Sequence, residues 1–152
     1  LPPTVTKICE HTFSYCPRLT KVSIPKNSNL QIIERDAFSQ SGINEIYIPP
    51  TVTKICDHAF SYCSKLTKVS IPENSNLQTI GNRAFYNSGI SEFYISPSIT
   101  KICEFAFGSC SNFKIIEISE ESKLQSFPIS AFYNPDLIIM IPVSLEKLIQ
   151  VI

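Results

Sequence analysis

One repeat governs everything this chain can fold into. The stretch LPPTVTKICEHTFSYC from Leu1 recurs as IPPTVTKICDHAFSYC from Ile48 and as ISPSITKICEFAFGSC from Ile95, a period of 47 residues. A unit of that size cannot bury its apolar face alone, so successive units must stack and share one continuous core. Each period also divides in two: LTKVSIPKNSNLQIIERDAFSQSG, residues 19–42, aligns with INEIYIPPTVTKICDHAFSYCSK, residues 43–65. The reading is a single array over residues 1–152. It has a partial coil at 1–18, coils at 19–42, 43–65, 66–89 and 90–112, a drifting coil at 113–136 and a partial coil at 137–152.

Units of 23 or 24 residues carrying L-x-x-L-x-L are the mark of a leucine-rich repeat, with one short strand per coil. The pattern occurs at Leu19/Val22/Ile24, Ile43/Ile46/Ile48, Leu66/Val69/Ile71, Ile90/Phe93/Ile95 and Phe113/Ile116/Ile118. Proline follows at Pro25, Pro49, Pro72 and Pro97, and a residue without an N–H stops the strand there. A second apolar pair comes next, at Leu30/Ile33, Val52/Ile55, Leu77/Ile80, Ile99/Ile102 and Leu124/Phe127. The expected fold class is an α/β repeat solenoid. It would carry short parallel strands on a concave face and short turn or helical segments on the convex side.

Six of the ten phenylalanines fall in one column, Phe13, Phe38, Phe60, Phe85, Phe107 and Phe132, each preceded by Thr or Ala. Equivalent positions in stacked coils lie about 4.8 Å apart, a spacing that suits offset ring stacking. The column is therefore expected to be a buried aromatic spine, with the small residue allowing close approach of the return segment. A ligand box would not repeat identically in every coil.

The unit I-x-x-I-x-I-P-x-x-(x)-V-x-x-I-x-x-x-A-F-x-x-C closely resembles the treponemal-type, BspA-like leucine-rich repeats of surface antigens. INEIYIPPTVTKICDHAFSYC, residues 43–63, is nearly a consensus copy, and the resemblance covers the whole chain. Pro128, Pro135 and the shortened DLIIMIP from Asp136 to Pro142 depart from it, and put regular stacking of the last units in question. The resemblance implies an adhesin-like, non-enzymatic, protein-binding array displayed at a cell surface or secreted, with a host or neighbouring-cell protein as ligand. It brings no catalytic residue and no cofactor. An intracellular scaffold or structural spacer, with a cytoplasmic location, is the alternative.

Charge and motif content narrow the function further. Lys and Arg total 13, as do Asp and Glu, so no basic excess exists to neutralise a nucleic-acid backbone. The longest apolar run, Leu137 to Val143, is far short of the roughly 20 residues that cross a bilayer, so direct membrane insertion of this segment is not expected. A chain that starts at Leu1 and has its only Met at 140 reads as a processed form or a fragment. Two His, four Gly and no Trp leave little material for catalytic or phosphate-binding motifs, and none is found. Cys9-x-His11 and Cys56-x-His58 could suggest zinc or a thiol dyad, but the third copy reads Cys103-Glu104-Phe105 and the column otherwise holds Asp36 and Arg83. No metal or cofactor is expected.

Alternation along the strand sends the third and fifth positions of L-x-x-L-x-L outward, onto the concave face. The third reads Lys21, Glu45, Lys68, Glu92, Ile115; the fifth reads Ser23, Tyr47, Ser70, Tyr94, Glu117. The candidate partner-binding residues are therefore Lys21, Ser23, Glu45, Tyr47, Lys68, Ser70, Glu92, Tyr94 and Glu117. Tyr47 and Tyr94 would bracket a slot floored by Ser70, because tyrosine offers large rigid area with a polar tip. The same columns also fit a merely well-paired, strand-favouring surface. Open repeat ends add an expectation of weak self-association, since unpaired strands template pairing.

The cysteines form the pairs Cys9/Cys16, Cys56/Cys63 and Cys103/Cys110, each seven residues apart. A short helical segment would separate such a pair by up to about 10 Å, and equivalent cysteines two coils apart lie about 9.6 Å away. A disulfide needs Cα atoms within about 7 Å. All six thiols are thus expected to be reduced, and thiol titration under denaturing, non-reducing conditions should count six. A count of two or fewer would overturn the distance argument.

Overall fold

The computed structural model describes residues 1–124, 129–132 and 137–142. Two sets of parallel strands run along the solenoid. On the front, the L-x-x-L-x-L segments form β3 (Glu45–Tyr47), β5 (Lys68–Ser70), β7 (Glu92–Ile95), β9 (Ile115–Ile118) and β10 (Ile138–Met140). Lys21 joins this face by a single parallel bridge to Glu45. On the back, the second apolar pair forms β1 (Lys7–Ile8), β2 (Ile32–Ile33), β4 (Lys54–Ile55), β6 (Thr79–Ile80) and β8 (Lys101–Ile102). All five back strands are continuous in the order β1-β2-β4-β6-β8. They put Ile8, Ile33, Ile55, Ile80 and Ile102 in one buried row, because alternate side chains face opposite sides of a strand.

The front ladder is in two parts. β3 pairs β5, and β7 pairs β9, which pairs β10, but no ladder joins β5 to β7. Phe93 stands where Ile46 and Val69 stand in the preceding coils, and its ring packs 5.6 Å from Phe85 and 4.8 Å from Phe107. The shortened segment at 137–142 nonetheless stacks in register, Ile138 on Ile115 and Met140 on Glu117. The departures at Pro128, Pro135 and Asp136, and Phe127 of the last apolar pair, lie outside the described residues.

The expected α/β class is corrected by the third side of the coil. Among the described residues there is no α-helix, and the one helical element is a 3-10 turn at Ile129–Ala131. The segment C-x-x-A-F-x-x-C is instead a chain of tight turns in which N–H groups alternate between two destinations. Ala59 donates back to Cys56 and Ser61 back to His58, whereas His58, Phe60 and Tyr62 donate forward to Asn82, Ala84 and Tyr86 of the next coil. A helix would direct every one of these N–H groups within its own segment. The left-handed backbone of His11, Asp36, His58, Arg83 and Phe105, and of Tyr15, Gln40, Tyr62, Asn87 and Ser109, turns the N–H groups outward and forbids a helix.

The core is where these three sides meet. Phe13, Phe38, Phe60, Phe85, Phe107 and Phe132 stack with successive centroid distances of 5.0, 5.0, 5.2, 5.4 and 5.1 Å. Ala37, Ala59, Ala84, Ala106 and Ala131 beside them are fully buried. Gly42 and Gly89 close two coils where nothing larger fits, since a Cβ would lie 2.1 Å from Pro17 O and 2.3 Å from Ser64 O.

Phe60 lies between two stacked neighbours, whereas the side chain of His58 on the same turn makes a single long hydrogen-bond contact, 3.5 Å from Nδ1 to Ser61 Oγ. Phe60→Ala is expected to cost roughly 3–5 kcal/mol of stability and His58→Ala within about 0.5. Equal urea midpoints for the two variants would reverse this assignment of inside and outside.

Candidate functional site

Strand alternation places the candidate residues on the front face in two groups. In the first, Lys21, Glu45 and Lys68 form one row and Tyr47 stands in register with Ser70. Lys21 Nζ meets Glu45 Oε1 at 2.9 Å. That hydrogen bond, with the charge of Lys21 and then of Lys68, holds the Glu45 carboxyl below its ordinary pKa. Lys21, Ser23, Glu45, Tyr47 and Ser70 line a depression of about 250 Å³, while Lys68 lines a neighbouring one with Thr67 and Asn44.

The second group lies across the break in the ladder. Tyr94 stands in register with Glu117, and Glu117 with Met140. Tyr94 and Glu117 line a larger groove, about 810 Å³, with Glu73, Pro97, Ser119, Glu120, Glu121 and the apolar strip Ile139–Pro142. Glu92 is exposed and pairs in register with Ile115, not with Lys68. The alternating charge ladder therefore closes at Lys21–Glu45. The two half-exposed tyrosines stand in separate depressions rather than on either side of one slot.

The cysteines fall into two columns, and all six are free. In one, Cys16, Ser41, Cys63, Ser88 and Cys110 follow one another up the stack. Cys63 donates to Phe38 O at 3.0 Å and contacts Ser41 Oγ at 3.5 Å; Cys110 repeats this with Phe85 O at 3.0 Å and Ser88 Oγ at 3.4 Å. Each buried thiol ties a turn to the coil before it. Burial pushes both thiols above their ordinary pKa, against smaller opposing effects of the hydrogen bonds to Ser41 and Ser88. Cys56 is likewise raised by burial, which works against the thiolate a Cys-His dyad needs. Among the described residues no group of three or more His, Cys, Asp or Glu is arranged to hold a metal ion.

Sequence reasoning passed over the aromatic side chains on the turn side. Tyr62 meets Tyr86 edge-on at 5.6 Å, and the Arg83 guanidinium lies 5.8 Å from the Tyr86 ring and 5.2 Å from the Phe105 ring. Tyr15, Tyr62 and Phe105 are among the large hydrophobic side chains exposed on the molecule. The available signal was aromatic residues in columns otherwise held by polar ones, but only the left-handed turns bring Arg83 between two rings.

Two parallel ladders, a turn ladder and a phenylalanine spine, repeated every coil, make this molecule a leucine-rich repeat solenoid. The sequence profile of the BspA type leucine rich repeat region matches it in six copies, over residues 1–96 and 31–150, and the chain belongs to that family. Among solved structures it is similar to a leucine-rich repeat protein from Bacteroides ovatus, at TM-score 0.70 and 24% identity over 92% of this chain and 44% of that one. It is also similar to the pneumococcal vaccine antigen PcpA, at TM-score 0.62 and 28% identity over 64% of this chain and 24% of that one. The chain thus spans less than half the length of either. No curated protein matches it. Among the described residues no helix is long and apolar enough to cross a membrane.

The buried thiols make stability depend on alkaline pH with a definite sign. A thiol whose folded pKa is raised contributes stability that is full below the unfolded value, near 9.0, and is lost as pH rises through the folded value. Urea midpoints should therefore fall between about pH 8 and pH 10.5. The fall should be shallower in Cys63→Ser with Cys110→Ser, since serine already serves this column at positions 41 and 88. Parallel pH profiles for the two proteins would contradict the burial argument.

Proposed function

We propose that this chain is a non-enzymatic protein-binding module, an adhesin-like segment of a surface-displayed or secreted protein, and that the front sheet is its binding face. The observation that carries the reading is the pair of half-exposed tyrosines at register positions of the two front ladders, each beside a depression. Rings held on a sheet lose little freedom on binding and present large area, which is why tyrosine concentrates at interface hot spots. Family membership and the likeness to a vaccine antigen support display outside the cell. The ligand on this reading is a protein, neither nucleic acid nor lipid, with affinity gathered over several coils. Weak end-to-end association of copies is a further part of the proposal, to be read from sedimentation across a concentration series.

Lys68 and Glu92 would orient the partner at the rim, where charge changes act mainly on association rate. With a partner captured by the intact chain, Tyr47→Ala combined with Tyr94→Ala should lower its affinity by at least about 2 kcal/mol while leaving the urea midpoint close to that of the parent. The comparison is Asp57→Ala with His58→Ala on the turn side. Loss of binding in that control and not in the tyrosine variant would move the binding face to the turns.

A further inference from the structure

The groove between β7, β9 and β10 has one-sided chemistry. Among the described residues its lining carries four carboxylates, Glu73, Glu117, Glu120 and Glu121, and no lysine, arginine or histidine. The chain as a whole has a net charge of zero, so this is a local asymmetry and not a consequence of an acidic protein. Three ion pairs are found among the described residues, Lys7–Glu34, Lys21–Glu45 and Arg35–Asp36, and none includes a groove carboxylate. Glu45, on the same face, shows the contrasting case of a carboxylate whose lysine is supplied by the fold.

The groove is not only acidic. Tyr94, Glu117 and Met140 form one row across three neighbouring strands, and Ile139, Ile141, Pro97 and Pro142 give apolar wall on either side. Met140 is 53% exposed and Ile138, on the same strand, 60%, unusual for large side chains on a packed sheet. Among the described residues the carboxylates are not gathered as a metal cage would gather them. Glu73 comes from one coil and Glu117, Glu120 and Glu121 from another, and Tyr94 and Met140 line the same groove. A ligand that matches carries positive charge beside apolar groups, and an extended polypeptide does so by placing alternate side chains on opposite faces. A cationic side chain can also sit over the face of Tyr94.

We propose that this groove receives an extended, lysine- or arginine-bearing segment of a protein partner. The cations meet Glu73, Glu117, Glu120 and Glu121, and an aliphatic residue packs between Tyr94 and Met140. The proposal rests on the reading of the front sheet as the binding face and adds the charge of what binds there. Opposed charge at an exposed groove speeds encounter and weakens with salt, so both properties can be read.

The test uses the full chain and two fluorescein-labelled octapeptides, one alternating lysine with valine and one alternating glutamate with valine, followed by fluorescence anisotropy. The lysine peptide should bind and lose affinity as salt is raised, and the glutamate peptide should bind at least about tenfold more weakly. Combining Glu73→Gln, Glu117→Gln, Glu120→Gln and Glu121→Gln should weaken the lysine peptide by about tenfold or more, and Tyr94→Ala by about tenfold. Glu10→Gln with Glu104→Gln, on the turn side, should leave it within about twofold. All these side chains are exposed or half-exposed, and an unchanged circular dichroism melt checks that each variant folds. Equal binding of the two peptides, binding of neither, or indifference to the glutamine changes overturns the proposal. Tyr94-dependent binding that ignores charge overturns only the charge assignment and leaves the front-sheet reading standing. Binding that appears only after residues 143–152 are removed overturns the partner and assigns the groove to the chain's own end.

Discussion

Hydrogen bonding between coils is the constraint on which the rest of this structure depends. A coil of 23 or 24 residues is too short to satisfy its own backbone and too thin to bury its own apolar side chains, so both debts fall on its neighbours. The molecule meets them on three sides at once, by the back ladder, the front ladder and the forward N–H bonds of the turns. Phe38, Phe60, Phe85 and Phe107 sit inside that frame with rings within 7° of parallel along the stack. The same repeat spacing that aligns backbone donors with acceptors thus sets the distance between rings, each of which contributes roughly 1.5–3 kcal/mol on burial.

The turn side shows how strongly that constraint outweighs local preference. Bulky residues such as Tyr62, Arg83 and Phe105 are held with positive φ, a conformation that costs roughly 1–2 kcal/mol per non-glycine residue. What offsets the cost is a row of inter-coil bonds that no other backbone path makes available, such as Tyr62 N–H to Tyr86 O at 2.7 Å and Phe105 N–H to Ser130 O at 2.9 Å. A cost met in every coil is a property of the architecture, not of one site. The buried thiols of Cys63 and Cys110 belong to the same economy of satisfaction, each supplying a weak donor to a carbonyl of the preceding coil.

Against so regular a frame, the departures of the front face stand out. The front ladder parts between β5 and β7, where Phe93 replaces smaller residues, and the surface chemistry changes across the same line. Toward the N-terminal side lysine and glutamate neutralise one another at Lys21 and Glu45; across the line, Glu73 on one side and Glu117, Glu120 and Glu121 on the other face a groove whose described lining holds no cation. A surface with both a self-paired and an unpaired region has a built-in polarity along the stack. On the proposed reading, that polarity would hold a basic partner in one orientation, since misplacing its charge against the paired region gains nothing.

The 47-residue period, the proline stops, the apolar columns and the phenylalanine column are local and periodic, so the repeat solenoid, its strands at Glu45, Lys68, Glu92 and Ile115 and its aromatic spine were legible from residue order alone. So was the division of the front face into outward and inward positions, because alternation along a strand is a property of the backbone. The convex side was legible only as turn or helix, and it is the carbonyls of the next coil that accept the N–H groups of the left-handed turns at His58 and Tyr62. Nor could the row Lys21, Glu45, Lys68, Glu92 reveal where its pairing stops, since the parting of the front ladder between β5 and β7 exists only in the folded stack. Residue order determined which side chains share a face. The groove that unites Glu73 with Tyr94, Glu117 and Met140 was decided by tertiary structure, because those residues come from four successive coils and meet only when the coils stack.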